Sequence, residues 1–209
     1  MTKVKICGIT NLEDALHAVE CGADMIGFNF YDKSPRLVTP YSALEIAKNL
    51  PEKIWKVGVF VNMESYRIDE YVSLIGLDSI QIHGDEDSDF ISELRTETKA
   101  RIIKAIRIGH SMIDLDVANN SADFFLLDKL SDGQYGGSGQ SFDWSMVKGF
   151  ENASTTFILA GGLNPDNVTD AVRTIRPFAV DVASGVERAP GKKDRIKVEK
   201  FIKNAKNAI

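Results

Sequence analysis

The chain has 209 residues, 44% of them hydrophobic and 26% charged, with a net charge of −5 and a pI near 5.3. This composition is typical of a globular protein long enough to bury one core, and the acidic balance argues against a nucleic-acid-binding protein. The sequence contains no apolar run of the roughly 18 residues that a membrane helix needs and no signal-peptide pattern, so we expect a cytoplasmic protein.

The two cysteines, Cys7 and Cys21, match neither a disulfide framework nor a zinc signature. The three histidines form no close pair of metal ligands, so we expect no bound metal. The one notably basic stretch, residues 192–209, is interpreted as a helix with a solvent-exposed, lysine-rich face.

Short β-rich runs alternate with helix-like runs along the whole chain. The predicted strands begin roughly every 25 residues, the size of a βα unit. Several are nearly continuous apolar runs, which is typical of parallel strands buried on both faces. In chain order they cover residues 3–7, 25–30, 55–61, 79–83, 101–106, 123–128, 155–160 and 178–184.

Helical patterns fill the gaps between these strands. In the first helix, Thr10 is predicted to be the N-cap, with Glu13 completing a capping box. A second helix is predicted to begin with Pro40 in its first turn. Near the end of the chain, Asn164 is predicted to cap a helix whose first residue is Pro165.

Eight βα units predict an α/β protein with a (β/α)₈ TIM barrel, formed by residues 1–209 as a single domain. The chain is short for this fold, which usually has about 250 residues. The main alternative is an open doubly wound sheet, which places a glycine-rich phosphate loop after its first strand. Here that loop reads GIT and the glycine-rich loops follow the later strands, which favours the barrel.

Polar side chains repeatedly fall at the carboxyl ends of the predicted strands, where such barrels carry their sites. Taken singly, each has a structural alternative: a buried thiol can fill a core, a carboxylate can cap a turn, and an arginine can be solvated. For a histidine or an aspartate inside an apolar strand, substrate contact and structural hydrogen bonding remain open. The candidates are Cys7, Arg36, His83, Asp128 and Asp181.

Two glycine-rich loops, ILAGGLNPDN and VASGVERAPGKKD, follow the last two predicted strands. Small residues allow backbone N–H groups to approach a ligand, and barrels often bind phosphate at this position. We therefore predict that Gly161, Gly162, Ser184 and Gly185 bind phosphate, although the glycines would also suit tight turns.

In a closed barrel, Asp128 and Cys7 would flank these two loops from either side. A substrate anchored by its phosphate would then lie between a carboxyl group and a thiol. This arrangement suits paired acid–base chemistry, and a thiol can act as a base where its surroundings favour the thiolate.

Six segments of the chain occur in a characteristic order: KVKICGIT, KSPR, QIHG, LLD followed by GGSG-x-x-FDW, LAGGLNPDNV, and DVASGVE-x-x-PG-x-KD. In this order they closely resemble phosphoribosylanthranilate isomerase over nearly the whole chain. The resemblance implies conversion of N-(5-phosphoribosyl)anthranilate to 1-(2-carboxyphenylamino)-1-deoxyribulose 5-phosphate. This is an Amadori rearrangement in tryptophan biosynthesis, and it needs no cofactor.

The resemblance also implies a role for each candidate residue. Cys7 would be the general base that removes the C2′ proton after the ribose ring opens. Asp128 would be the general acid that protonates the ring oxygen. Arg36 would bind the anthranilate carboxylate, a task suited to its planar fork. The GGSG segment at residues 136–139 would be a mobile loop that covers the substrate.

Other functions remain as alternatives. Indole-glycerol-phosphate synthase would be expected to use a lysine and glutamate set, for which Lys104 alone is a weak candidate, and a pentose-phosphate epimerase to show a His/Asp metal site. A non-catalytic phosphate binder would keep both glycine loops without needing Cys7 and Asp128 together. We expect a small-molecule substrate and no nucleic-acid or membrane partner, and the sequence leaves the oligomeric state open.

Overall fold

The computed structural model describes residues 1–108, 122–129 and 156–209. Strands from these ranges pair in parallel, each with the next in the chain, and the last pairs with the first to close a barrel. They are β1 (Lys3–Cys7), β2 (Met25–Asn29), β3 (Trp55–Phe60), β4 (Ser79–Ile82), β5 (Arg101–Ile108), β6 (Phe124–Lys129), β7 (Phe157–Leu159) and β8 (Ala179–Val182). The predicted TIM-barrel class is thereby confirmed, with strand ends that differ from the prediction by a few residues.

Helices follow the strands along the chain. The helices of the described ranges are α1 (Leu12–Glu20), α2 (Pro40–Ala47), α3 (Ser65–Ile75), α4 (Ser88–Glu97), α5 (Val168–Ile175) and α6 (Arg195–Lys206). Between β8 and α6, a short hairpin pairs β9 (Glu187–Ala189) with β10 (Lys192–Lys193). Across the described residues, no helix has the length and apolar character needed to cross a membrane.

The predicted start of the first helix was wrong by one residue. Asn11 caps α1, because its side-chain oxygen accepts a hydrogen bond from the backbone N–H of Asp14 at 2.9 Å. The hydroxyl of Thr10, the predicted cap, instead donates to the carbonyl of Gly191. Thr10 therefore ties the end of β1 to the segment that follows β8.

The predicted start of the penultimate helix was also wrong. The helix begins at Val168, and the side-chain oxygen of Asn164 accepts hydrogen bonds from the N–H groups of Asp166 and Asn167 at 2.8 and 3.2 Å. Asn164 therefore stabilises a turn before the helix, and Pro165 lies within that turn. The prediction for Pro40 is confirmed, since it is the first residue of α2.

Successive side chains of each strand point to opposite faces, so the strands contribute to two separate hydrophobic cores. The larger core packs outward-facing strand residues against the helices. The smaller core lies inside the barrel, and three aromatic side chains, Trp55, Phe124 and Phe178, pack against it. Its members are Met25, Val57, Ile103, Ala105, Leu126, Ile158, Ala160 and Ala179. The interior is therefore apolar, and inward-facing polar residues gather at the carboxyl end of the strands.

Replacing Leu126 with alanine removes a fully buried side chain from the barrel interior. We expect Leu126→Ala to lower the free energy of unfolding by about 2–5 kcal/mol, because the closed barrel cannot collapse into the cavity. Chemical denaturation measures the change. The control Ile196→Ala, at a side chain 78% exposed, should change it by less than about 0.5 kcal/mol. Equal effects of the two substitutions would contradict a packed interior.

Candidate active site

The barrel order places β7 and β8 between β6 and β1, as the sequence analysis required. Asp128 lies on β6 and Cys7 ends β1, so the two groups flank the loops after β7 and β8. Cys7, His83, Asp128 and Asp181 are each at most 9% exposed. The structure therefore brings four of the predicted site residues together in the buried carboxyl end of the barrel.

A fully buried lysine lies among these groups. Lys5 precedes Cys7 by two residues on β1, so both side chains lie on the same face of the strand. Its ammonium group donates to Oδ1 of Asp181 at 3.0 Å and to Oε1 of Gln81 at 2.8 Å. Burial alone would lower the pKa of Lys5, but its partners Asp181 and Cys7 raise that pKa above its ordinary value.

Burial raises the pKa of the Cys7 thiol, and the nearby charge of Asp181 adds to the increase. The ammonium groups of Lys5 and Lys193 oppose this effect, since each stabilises a thiolate. Gly27 on β2 leaves room for the pair: a Cβ there would lie 2.9 Å from Sγ of Cys7 and 3.2 Å from Cε of Lys5. The site thus holds a thiol with two nearby cations that stabilise its ionised form.

A line of buried polar side chains continues from Lys5 to Asp128. Gln81 and His83 lie on the same face of the chain at β4, and Nε2 of Gln81 is 2.9 Å from Nδ1 of His83. Nε2 of His83 lies 3.3 Å from Oδ2 of Asp128. The alignment falls short of a hydrogen bond, so this nitrogen has no hydrogen-bond partner among the described residues. Oδ1 of Asp128 accepts from the backbone N–H of Lys129 at 2.8 Å.

Arg36 lies at the rim, in the loop after β2. Its Nε and Nη2 donate to the two carboxylate oxygens of Glu187 at 2.9 and 2.7 Å. Burial would raise the pKa of Glu187, but the hydrogen bond from Arg36 and the charge of Lys193 lower that pKa below its ordinary value. Gly8 makes room for the arginine: it has a φ of +73°, and a Cβ there would lie 2.5 Å from Cδ of Arg36.

Lys193 joins this rim to the thiol. Its buried ammonium donates to Oε1 of Glu187 at 2.9 Å, to the carbonyl of Cys7 at 2.6 Å and to the carbonyl of Ala183 at 3.2 Å. Burial lowers the pKa of Lys193 despite the opposing charge of Glu187. The hairpin after β8 is thereby fastened to the end of β1.

The loops after β7 and β8 pack backbone to backbone. A Cβ on Gly185 would lie 2.0 Å from the carbonyl oxygen of Leu163, so only glycine allows this approach. Gly161 and Gly162 adopt φ values of +77° and +70°. Within the described ranges, the N–H groups of these three glycines and of Ser184 donate no hydrogen bond. Such N–H groups can receive the oxygens of an anion.

Lys5, Glu187 and Lys193 were not among the predicted site residues. Lys5 could have been found from strand alternation, since it shares a face with Cys7. Glu187 and Lys193 lie in the segment DVASGVE-x-x-PG-x-KD and pair with each other, but their contacts with Arg36 and Cys7 join distant parts of the chain. The predicted mobile loop at residues 136–139 lies outside the described residues. Among the residues described, no group of three His, Cys, Asp or Glu side chains could hold a metal ion.

Residues 4–204 match the family model described as N-(5′phosphoribosyl)anthranilate (PRA) isomerase. The chain is 46% identical over 206 residues to the N-(5′-phosphoribosyl)anthranilate isomerase of Thermotoga petrophila, covering 99% of each. A crystal structure of phosphoribosyl anthranilate isomerase from Thermotoga maritima matches with a TM-score of 0.90 at 44% identity, over 99% of each chain. Another, of such an isomerase in complex with reduced 1-(o-carboxyphenylamino)-1-deoxyribulose 5-phosphate, matches with a TM-score of 0.87 at 43% identity, again over 99% of each chain. The chain belongs to the N-(5′-phosphoribosyl)anthranilate isomerase family.

Proposed function

We propose that the protein isomerises N-(5′-phosphoribosyl)anthranilate to 1-(2-carboxyphenylamino)-1-deoxyribulose 5-phosphate in tryptophan biosynthesis. Membership of the family over residues 4–204 supports the reaction. The observation that carries the chemistry is the placement of the Cys7 thiol and the Asp128 carboxyl on opposite sides of the two glycine loops. The reduced compound bound to a related isomerase supports a small-molecule substrate of this class.

The first step of the proposed mechanism opens the ribose ring. The carboxyl group of Asp128 gives its proton to the ring oxygen, and the bond between that oxygen and C1′ breaks. The lone pair of the anilino nitrogen forms a C=N bond to C1′, which gives a protonated Schiff base. General acid catalysis of this kind contributes about 10²–10⁴-fold in rate.

The second step moves a proton from C2′. The thiolate of Cys7 takes this proton, and the electrons of the C–H bond form a C1′=C2′ double bond while the nitrogen becomes neutral. The resulting enol becomes the ketone when C1′ gains a proton and the C2′ hydroxyl loses one. Cys7 must ionise before this step, and the cations of Lys5 and Lys193 lower the free energy of the thiolate.

Both ends of the substrate are proposed to be held by the rim. The N–H groups of Gly161, Gly162, Ser184 and Gly185 would bind the phosphate, since they donate to no other group in the described structure. Arg36 would bind the anthranilate carboxylate with the N–H groups that Glu187 leaves available, because a guanidinium has five.

His83 and Asp181 are candidates for substrate contact, although the sequence left structural hydrogen bonding open for both. Their observed partners support the structural role: Asp181 pairs with Lys5, and His83 lies between Gln81 and Asp128. Contact of either side chain with the substrate stays a prediction.

We also infer that residues 1–209 act as one domain without a cofactor. The pairing of β1 with β8 supports a single domain, because the barrel closes only when both ends of the chain are present. A cytoplasmic location stays a prediction from the sequence.

Removing either proton-transfer group should abolish most of the activity. We expect Cys7→Ala and Asp128→Asn each to reduce turnover by about 10²–10⁴-fold. The assay generates N-(5′-phosphoribosyl)anthranilate in place and follows the loss of its fluorescence. Cys21→Ala is the matched control, because Cys21 ends α1 outside the site, and it should retain full activity. Near-normal turnover of Cys7→Ala or Asp128→Asn would remove that residue from the mechanism.

Removing the guanidinium at the rim should weaken substrate binding. We expect Arg36→Ala to raise KM by about tenfold or more, since a hydrogen bond to a charged group contributes about 1.5–3 kcal/mol. Turnover at saturation should change less. The same fluorescence assay, run over a range of substrate concentrations, separates the two parameters. An unchanged KM would show that Arg36 does not bind the carboxylate.

A further inference from the structure

Lys5 takes no part in the proton transfers of the proposed mechanism, yet its buried ammonium bonds to two other polar side chains of the site. An ammonium has three N–H donors and no acceptor. Here two of the donors have hydrogen-bond partners, Oδ1 of Asp181 and Oε1 of Gln81, and the Cys7 side chain lies on the same face of β1. The group is completely buried, so these hydrogen bonds compensate for its lost hydration.

The donor character of Lys5 fixes the orientation of the next side chain. Because an ammonium can only donate, the atom of Gln81 that faces it must be the carbonyl oxygen. The amide NH₂ of Gln81 is then turned toward Nδ1 of His83, at 2.9 Å. A flipped amide would direct its N–H groups at the ammonium, losing that hydrogen bond and placing donors face to face.

The orientation of Gln81 in turn fixes the histidine. A donor that faces Nδ1 of His83 requires a lone pair on that nitrogen, so the proton of the neutral ring lies on Nε2. Nε2 is the atom that lies 3.3 Å from Oδ2 of Asp128. The tautomer thus follows from hydrogen-bond chemistry that starts at Lys5, two side chains away.

We propose that Lys5 is a positioning residue for both proton-transfer groups: it lies beside the Cys7 thiol on the same face of β1, and through Gln81 it holds His83 in the tautomer that presents an N–H to Asp128. The inference rests on the proposed function only for the roles of Cys7 and Asp128. The tautomer itself is a property of the free protein.

This tautomer favours the proposed acid step. Oδ1 of Asp128 already accepts a backbone N–H. When the carboxyl group has given its proton to the ring oxygen, Nε2–H of His83 supplies a second donor to the new carboxylate. The opposite tautomer would direct a lone pair at that charge. At 3.3 Å, a small movement of either side chain brings the two atoms to hydrogen-bond distance and alignment.

Nuclear magnetic resonance of ¹⁵N-labelled histidine tests the tautomer directly, because two-bond ¹H–¹⁵N correlations distinguish a protonated Nε2 from a protonated Nδ1. The signals of His83 are assigned by their disappearance in His83→Gln. We expect the wild-type ring to be a single tautomer with its proton on Nε2 at neutral pH. Protonation of Nδ1, or a mixture of both tautomers, would overturn the proposal.

Gln81→Glu makes the test sharper, since it replaces the donor that faces Nδ1 with an acceptor of the same size. We expect Nδ1 of His83 to become protonated and kcat to fall about tenfold with KM nearly unchanged. Gln81→Met is the control that offers neither donor nor acceptor, and it should give a mixture of tautomers. A histidine spectrum unchanged in Gln81→Glu would remove Gln81, and therefore Lys5, from the control of His83.

The effect of Lys5 on the thiol has its own measurement. In the Cys21→Ala variant, Cys7 is the single remaining cysteine. Thiolate absorbance at 240 nm therefore reports the ionisation of Cys7. The reference spectrum is that of the variant that also lacks Cys7. The groups that act on Cys7 are Lys5, Asp181, Lys193 and Arg36. We expect Lys5→Met to move thiolate formation to higher pH, because a cation beside the thiolate is lost.

Lys5→Met leaves Asp181 buried without its cation and can fail to fold. The double substitution Lys5→Met/Asp181→Asn removes both charges, and its reference is Asp181→Asn alone, so that the two proteins differ only in the Lys5 cation. We expect thiolate formation at higher pH in the double variant. Thiolate formation at the same pH in these two folded variants would overturn the effect of Lys5 on the thiol. None of these spectra requires substrate, so a wild-type protein that shows them without turnover would contradict the proposed function and leave this inference standing.

Discussion

The buried ammonium of Lys5 is the interaction on which the arrangement of the site depends. A charge with no exposure to water needs polar partners, and the barrel supplies them from two other strands: Asp181 on β8 and Gln81 on β4. β8 is the neighbour of β1, whereas β4 lies across the barrel from β8. One side chain therefore joins groups that lie 76 and 176 residues from it along the chain.

Closure of the barrel makes this possible. Lys5 and Asp181 are register partners across the β1–β8 pairing, so the contact forms only when the last strand meets the first. The same closure sets the two glycine loops side by side, with Gly185 packed against the carbonyl of Leu163. Below the polar end, an apolar interior excludes water. The anion-binding loops, the acid–base groups and their buried partners therefore all depend on the pairing of β1 with β8.

The strand positions and the barrel class could be predicted from the sequence, because periodicity and strand order are encoded locally. The same is true of the placement of Cys7 and Asp128 on either side of the glycine loops. Helix starts were less predictable. Thr10 and Asn11 are both good N-caps, and Asn11 takes this role because the Thr10 hydroxyl donates to the carbonyl of Gly191. The pairing of Arg36 with Glu187 joins residues that no local pattern connects. Such contacts depend on loop conformation, which a single sequence does not reveal.

A crystal structure of this protein with reduced 1-(o-carboxyphenylamino)-1-deoxyribulose 5-phosphate, the compound bound to a related isomerase, tests the central claim most directly. The account predicts the phosphate on the N–H groups of the two glycine loops, with Sγ of Cys7 and the carboxyl of Asp128 on opposite sides of the sugar chain. Each should lie within about 3.5 Å of the atom it serves. Both groups on one side of the sugar, or a phosphate bound away from the glycine loops, would contradict it.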